Sequence, residues 1–207
     1  MTNFEIGSLI FDAIGTVSII FLIVQLCQTK KQNKEMHEEQ RRIQTVNVLM
    51  GWNNGIKKES RIAEKIVDKL SSSQCVMLYD YIPFEVSKET HDMICQMCSR
   101  QGASCKKCRP NRNGKYLISG IQLTELRGNV TNYLNNLEIV AEAWKQAIVD
   151  REELEFQFSF LYVPGKKSAL STYREIAGGG QSYPALNEFY KTIESNSKKT
   201  TNKKEEQ

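Results

Sequence analysis

A run of 22 residues near the start of the chain, 6–27, reads IGSLIFDAIGTVSIIFLIVQLC and holds one ionisable side chain, Asp12. As a helix it covers roughly 33 Å, against a bilayer hydrocarbon core of about 30 Å. A secretory signal peptide is the competing reading. That would need a basic stretch before the run and a small-residue cleavage site after it. MTNFE carries neither Lys nor Arg, and Gln25-Leu26-Cys27 suits cleavage poorly. The sequence therefore predicts an uncleaved transmembrane helix at 6–27. All 28 Lys and Arg follow Cys27, facing 22 of the 24 acids, a net +6 beyond the run. Lys30, Lys31 and Lys34 follow it directly. Basic flanks stay in the cytoplasm, so the expectation is a single-pass protein of the inner (cytoplasmic) membrane. Residues 1–5 would lie outside and the rest would lie inside.

Asp12 has two readings, because a carboxylate inside a bilayer is costly. Six residues into the run, it can snorkel to the outer interface or take up a proton. Alternatively, Ser8, Asp12, Gly15 and Thr16 fall at i, i+4, i+7 and i+8, a small and polar stripe of the kind that packs transmembrane helices together. That stripe predicts self-association into a homo-oligomer, with a pore as the extreme case.

Beyond the anchor the pattern is helical. Residues 28–55 hold Met36, Ile43, Val46 and Met50 at spacings of 7, 3 and 4, which predicts an amphipathic juxtamembrane helix or short coiled coil. Residues 56–194 read as a helical bundle. Ile56, Ile62, Ala63, Ile66 and Leu70 face inward on one helix, Ser71 offers a cap for the next, and Ser87 for a third after Pro83. The strongest periodicity runs over 121–149, where Leu123, Leu126, Val130, Leu137, Val140 and Trp144 keep a 3–4 alternation. Asp150 with Glu153 makes a variant capping box. The aromatic residues Phe156, Phe158, Phe160 and Tyr162 then read as core. Pro184 suits the first turn of a last helix. Residues 115–119 are the strand-like exception. The tail 195–207 has the composition of a disordered segment. The expected fold class is mainly α: one N-terminal transmembrane helix, then a helical-bundle cytoplasmic domain with a small cysteine-rich loop.

That loop carries the chemistry. Cys95-x-x-Cys98 and Cys105-x-x-Cys108 form two pairs separated by six residues. Paired thiolates suit tetrahedral zinc, and four of them leave no open position for water, so the expected ion is structural. The short gap departs from the usual zinc ribbon, and reduced thiols or a redox or iron–sulfur role are the other readings. His91 precedes Cys95 by one helical turn, though a solvent-exposed histidine is the plainer expectation. Around the cysteines lie Arg100, Lys106, Lys107, Arg109, Arg112 and Lys115 with no acid among them. They make either a solvated charged loop or an anion-binding surface for phosphate, in nucleic acid or lipid. With Tyr116 as the lone nearby aromatic, a base-stacking platform is not expected.

The series Leu126-Arg127, Tyr133-Leu134-Asn135-Asn136-Leu137-Glu138 and Ala141, with Ala147-Ile148-Val149-Asp150, Tyr173-Arg174 and the 183–189 stretch, resembles a loose bacterial group of membrane-anchored helical domains of unknown function. Some of that group are labelled phage abortive-infection proteins. The resemblance implies an architecture and a defence context; it transfers no catalytic residue. The sequence itself holds no P-loop, nucleophile elbow, metalloprotease helix or dinucleotide fingerprint. The expectation is a membrane-anchored interaction or signalling module without catalytic activity, with a protein partner or a second copy. Two alternatives stand beside it: a membrane-active anti-phage effector, and nucleic-acid binding by the basic loop.

Overall fold

The computed structural model describes residues 3–100, 109–118, 120–162 and 169–205, with the side chains of 1–20, 100, 169 and 199–207 outside the description. Helix dominates the described residues. The first helix, α1, runs Asn3–Gly55. It is followed by α2 (Lys58–Val67), α3 (Ser72–Tyr79), α4 (Lys88–Arg100), α5 (Ile121–Lys145), α6 (Arg151–Gln157), α7 (Ala169–Ile176), α8 (Gly179–Ser182) and α9 (Pro184–Glu205). A short antiparallel ribbon pairs β1 (Phe84–Val86) with β2 (Tyr116–Ile118), Phe84 opposite Ile118. The chain divides into two units, residues 1–43 and residues 44–207.

The expected transmembrane helix is corrected. Among the described residues no helix is long and apolar enough to cross a membrane. Side chains of α1 are described from Phe21 onward, and the apolar stretch there, 21–27, rises about 10 Å, a third of a hydrocarbon core. Lys30, Lys31 and Lys34 then make the helix polar, all exposed. The single-pass topology and the inner-membrane location lose their basis with the span. Ser8, Asp12, Gly15 and Thr16 belong to α1, but their side chains lie outside the described residues.

Within residues 44–207 the apolar positions and the caps explain where elements begin and what they bury. α5 is the central element: Leu123, Leu126, Val130, Leu134 and Leu137 are buried at helical spacing. Each contributes roughly 1.5–3 kcal/mol by leaving water. α2 lays Ala63, Ile66 and Val67 against it. Between them Ser60 donates to Asn132 Oδ1 at 3.1 Å, so the buried hydroxyl is not left unpaired. A reciprocal capping box opens α3, with Gln74 N on Ser71 Oγ at 3.3 Å and Ser71 N on Gln74 Oε1 at 2.8 Å. Ser87 Oγ accepts from Thr90 N at 3.2 Å and opens α4. Near the end of α1, Trp52 packs edge-on against Tyr133 at 5.5 Å and Phe158 at 5.2 Å. A side chain on Gly55 would meet Asn136 Oδ1 at 2.5 Å, so α1 approaches α5 closely there and a larger residue would have to displace the Asn136 amide.

Three local expectations need revision. The aromatic series is not uniformly core: Phe158 is buried, whereas Phe156 and Phe160 are 73% and 56% exposed. Phe156 lies within α6 and Phe160 within the 3₁₀ turn at Ser159–Leu161, and residues two apart on a helical backbone turn to different faces. The segment expected to be disordered from Ser195 continues α9 through Glu205. His91, expected in solvent, is 5% exposed.

Candidate functional site

Helix α7 shows why one face of the domain stands out. Leu170, Tyr173 and Arg174 are its buried residues, and Ala177 packs beside them, the i, i+3, i+4 and i+7 positions of a core-facing stripe. Arg174 sits on that stripe among apolar neighbours and is 7% exposed. It lines a cavity of about 80 Å³ formed by α2, α5, α7, α9 and the turn after α6. Leu134, Leu137, Leu170 and Leu186 make apolar walls, Tyr133 and Tyr190 place rings there, and Glu64 and Asp68 stand at the α2 side.

A buried guanidinium normally satisfies its donors with carboxylates or carbonyls. Arg174 Nε has no hydrogen-bond partner among the described residues. The Tyr190 ring lies 5.1 Å from the guanidinium carbon, a cation–π contact that holds the charge without occupying an N–H. Burial pushes the Arg174 guanidinium below its usual value, opposed by Tyr190, Glu175 and Glu138. Arginine nevertheless remains charged at neutral pH. Burial also raises the Tyr190 and Tyr133 phenols, so both rings enter the cavity as neutral groups. Glu64 and Asp68 each have interactions of their own. The cavity thus joins one underused cationic donor to an apolar, aromatic enclosure, a combination that orients a small ligand through few polar contacts. No catalytic motif in the sequence marks Arg174. Its signal was an arginine at a core position of an amphipathic stripe, beside Tyr173.

The cysteine site is half in view. Cys95 and Cys98 lie on α4, one helical turn apart, with Cys98 buried and Cys95 half-buried. Cys105 and Cys108 lie outside the described residues. His91 faces Cys95 across one turn, its Nε2 3.6 Å from the sulfur. Gln122 Nε2 of α5 donates to the same sulfur at 3.8 Å. The imidazole stacks on Tyr116 of β2 at 4.5 Å between ring centres, which explains its burial. Among the described residues no group of three or more His, Cys, Asp or Glu is arranged to hold a metal.

Arg109, Arg112 and Lys115 are exposed on the loop before β2. There Asn111 Oδ1 accepts from Asn113 N and Lys115 N, each at 2.9 Å, a side-chain-closed turn. Lys106, Lys107 and the side chain of Arg100 lie outside the described residues. One face of the Tyr116 ring is taken by His91. Set against family models, curated proteins and solved structures, the chain matches none of them.

Proposed function

We propose that this chain is a non-catalytic interaction module whose helical domain binds a small anionic ligand in the cleft between α2, α5, α7 and α9. The observation that supports it is the buried Arg174, with an Nε that lacks a hydrogen-bond partner among the described residues. Retaining a charge in that position costs stability unless something compensates it, and a bound anion does so. Ligand binding would then order α7 against α5 and α9, the helices that wall the cavity. The test is thermal unfolding of the full-length chain against a library of small organic acids, repeated with Arg174→Met. At least one acid should raise the unfolding temperature of the native chain, and the variant should lose that response. Stabilisation by no acid at all ends the proposal.

A second reading has its own support. Cys95 and Cys98, with Cys105 and Cys108, are proposed to hold a structural zinc ion, favoured by the His91 imidazole 3.6 Å from the Cys95 sulfur. Such a histidine either ligates in place of one cysteine or orients the thiolate from outside the ion. Metal analysis of full-length protein should find about one zinc per chain, lost in Cys95→Ala and Cys98→Ala. Protein purified in zinc-supplemented medium with no bound metal rules it out.

A further inference from the structure

The chemistry of the cleft selects among anions. We infer that its ligand is a small monocarboxylate with a ring-sized apolar body, bound with its carboxylate on Arg174 and its body between Tyr190, Leu137 and Leu186. The inference rests on the reading of this cleft as a ligand site. Four features of the same cavity lead to it.

The first is the donor. Arg174 lines the cavity, and its Nε lacks a partner among the described residues and is closed off as the side chain stands; a small turn of the guanidinium brings its Nε edge to the two oxygens of a planar carboxylate side-on. The second is charge. Glu64 and Asp68 line the same cavity as the single guanidinium. Two carboxylates there repel a phosphate dianion more strongly than they repel a monoanion. The third is the wall, since leucines and tyrosine rings reward an apolar body and leave a sugar or polyol with unpaired hydroxyls. The fourth is size. A cavity of about 80 Å³ falls well below the roughly 300–1,000 Å³ of pockets for drug-sized ligands, which suits a single ring or branched chain and excludes a nucleotide.

The experiment uses the full-length chain with three matched probes: benzoate, benzyl alcohol and phenyl phosphate. Affinity is read by calorimetry and unfolding temperature by circular dichroism. Benzoate at 10 mM should raise the unfolding temperature by about 3 °C. Benzyl alcohol, with the same body and no charge, and phenyl phosphate, with the same body and two charges, should each bind at least about tenfold more weakly. Arg174→Met should weaken benzoate by about tenfold or more while raising the unfolding temperature of the unliganded chain, because it removes a buried charge. A residue that merely held the fold together would shift the second reading the other way. Ser171→Phe, which fills the cavity and leaves Arg174 in place, gives an independent variant and should abolish benzoate binding.

The outcomes separate the inference from the reading beneath it. Phenyl phosphate binding more tightly than benzoate, with loss in Arg174→Met, overturns the monocarboxylate and leaves the anion cleft standing. Benzyl alcohol binding as tightly as benzoate overturns the role of the charge. Benzoate binding that persists in both variants places the ligand elsewhere and overturns the inference and the cleft together.

Discussion

Among the described residues two non-glycines carry left-handed backbone, and their surroundings differ in whether anything compensates it. Tyr81 has φ 58° and Ala147 has φ 54°. Both follow the cap residue of a helix, where that conformation closes the last turn. At Tyr81 the closure is complete, with Tyr81 N on Leu78 O at 3.4 Å and Ile82 N on Met77 O at 2.8 Å. The turned ring also covers the Arg127 guanidinium at 4.2 Å. Ala147 gains less: its N–H reaches Trp144 O at 3.1 Å, and its exposed methyl group touches no core. Arg151 supplies most of the local order, with Nε on Trp144 O at 2.9 Å and Nη2 on Lys145 O at 2.7 Å. Left-handed backbone costs an alanine about 1–2 kcal/mol, partly offset in a glycine variant by the greater freedom of its unfolded chain. Ala147→Gly should therefore stabilise the protein by about 0.5–1 kcal/mol, a rise in unfolding temperature of roughly 2 °C. The corresponding change at Tyr81 should destabilise, because it discards the ring over Arg127. Thermal unfolding followed at 222 nm checks both signs.

Element boundaries in this chain depend on side chains that reach across the fold as well as on local caps. The start of α9 is the clearest instance. Glu138, in the middle of α5, accepts from Ala185 N at 3.0 Å through one oxygen and from Leu186 N at 2.8 Å through the other. A carboxylate there meets two unpaired N–H groups and the positive end of the helix dipole. Glu138→Ala should cost about 1–3 kcal/mol, and Glu138→Gln, which keeps one acceptor without the charge, about half as much. Urea unfolding midpoints measure the difference, and an unchanged midpoint in Glu138→Ala would show that the cap contributes nothing. This contact also marks what sequence can and cannot disclose. The 3–4 rhythm of Leu123, Leu126, Val130 and Leu137, the Ser71–Gln74 box and the helix-opening position of Pro184 are local, and they are legible in order along the chain. A carboxylate 47 positions away from the amide it caps leaves no local trace. Neither does β1, three residues long and dependent on pairing with β2 for its existence. In the aromatic stretch every ring read as core, but residues two apart on a helical backbone face different ways, and Phe156 and Phe160 point outward. The burial of Arg174 is equally silent in the sequence, because it comes from the packing of α7 on α2 and α3 and from the Tyr190 ring of α9. The apolar run at 6–27 shows the converse problem: composition alone predicted its environment, and the helix it joins continues to Gly55.

At the scale of the whole molecule, burial ties stability to pH in one direction. The Cys75 thiol is fully buried, and desolvation, with Asp68 adding to it, pushes it up from 9.0 to about 11. Desolvation raises the Tyr133, Tyr173, Tyr183 and Tyr190 phenols from their usual value near 10 as well. Lys145 moves upward too, held chiefly by its hydrogen bond to Glu188. A group whose folded value lies above its unfolded one contributes stability in full below the unfolded value, and that contribution disappears as pH rises through the folded one. For Cys75 the loss runs from about pH 9 to about pH 11; for the phenols it begins near 10 and extends higher. Arg174, shifted downward by burial, has the opposite sign. It detracts from stability while charged, and because it remains charged through this window it does not alter the slope. The urea midpoint should therefore change little from these groups between pH 7 and 8.5, then fall progressively from pH 9 to 11. Cys75→Ala should flatten the first part of that fall at the expense of a small cavity beside Leu78, leaving the phenolic part intact. A midpoint that holds level to pH 11 in the native chain would mean that these rings and this thiol reach water in solution, and the packing of α3, α5, α7 and α9 would be looser than their burial requires.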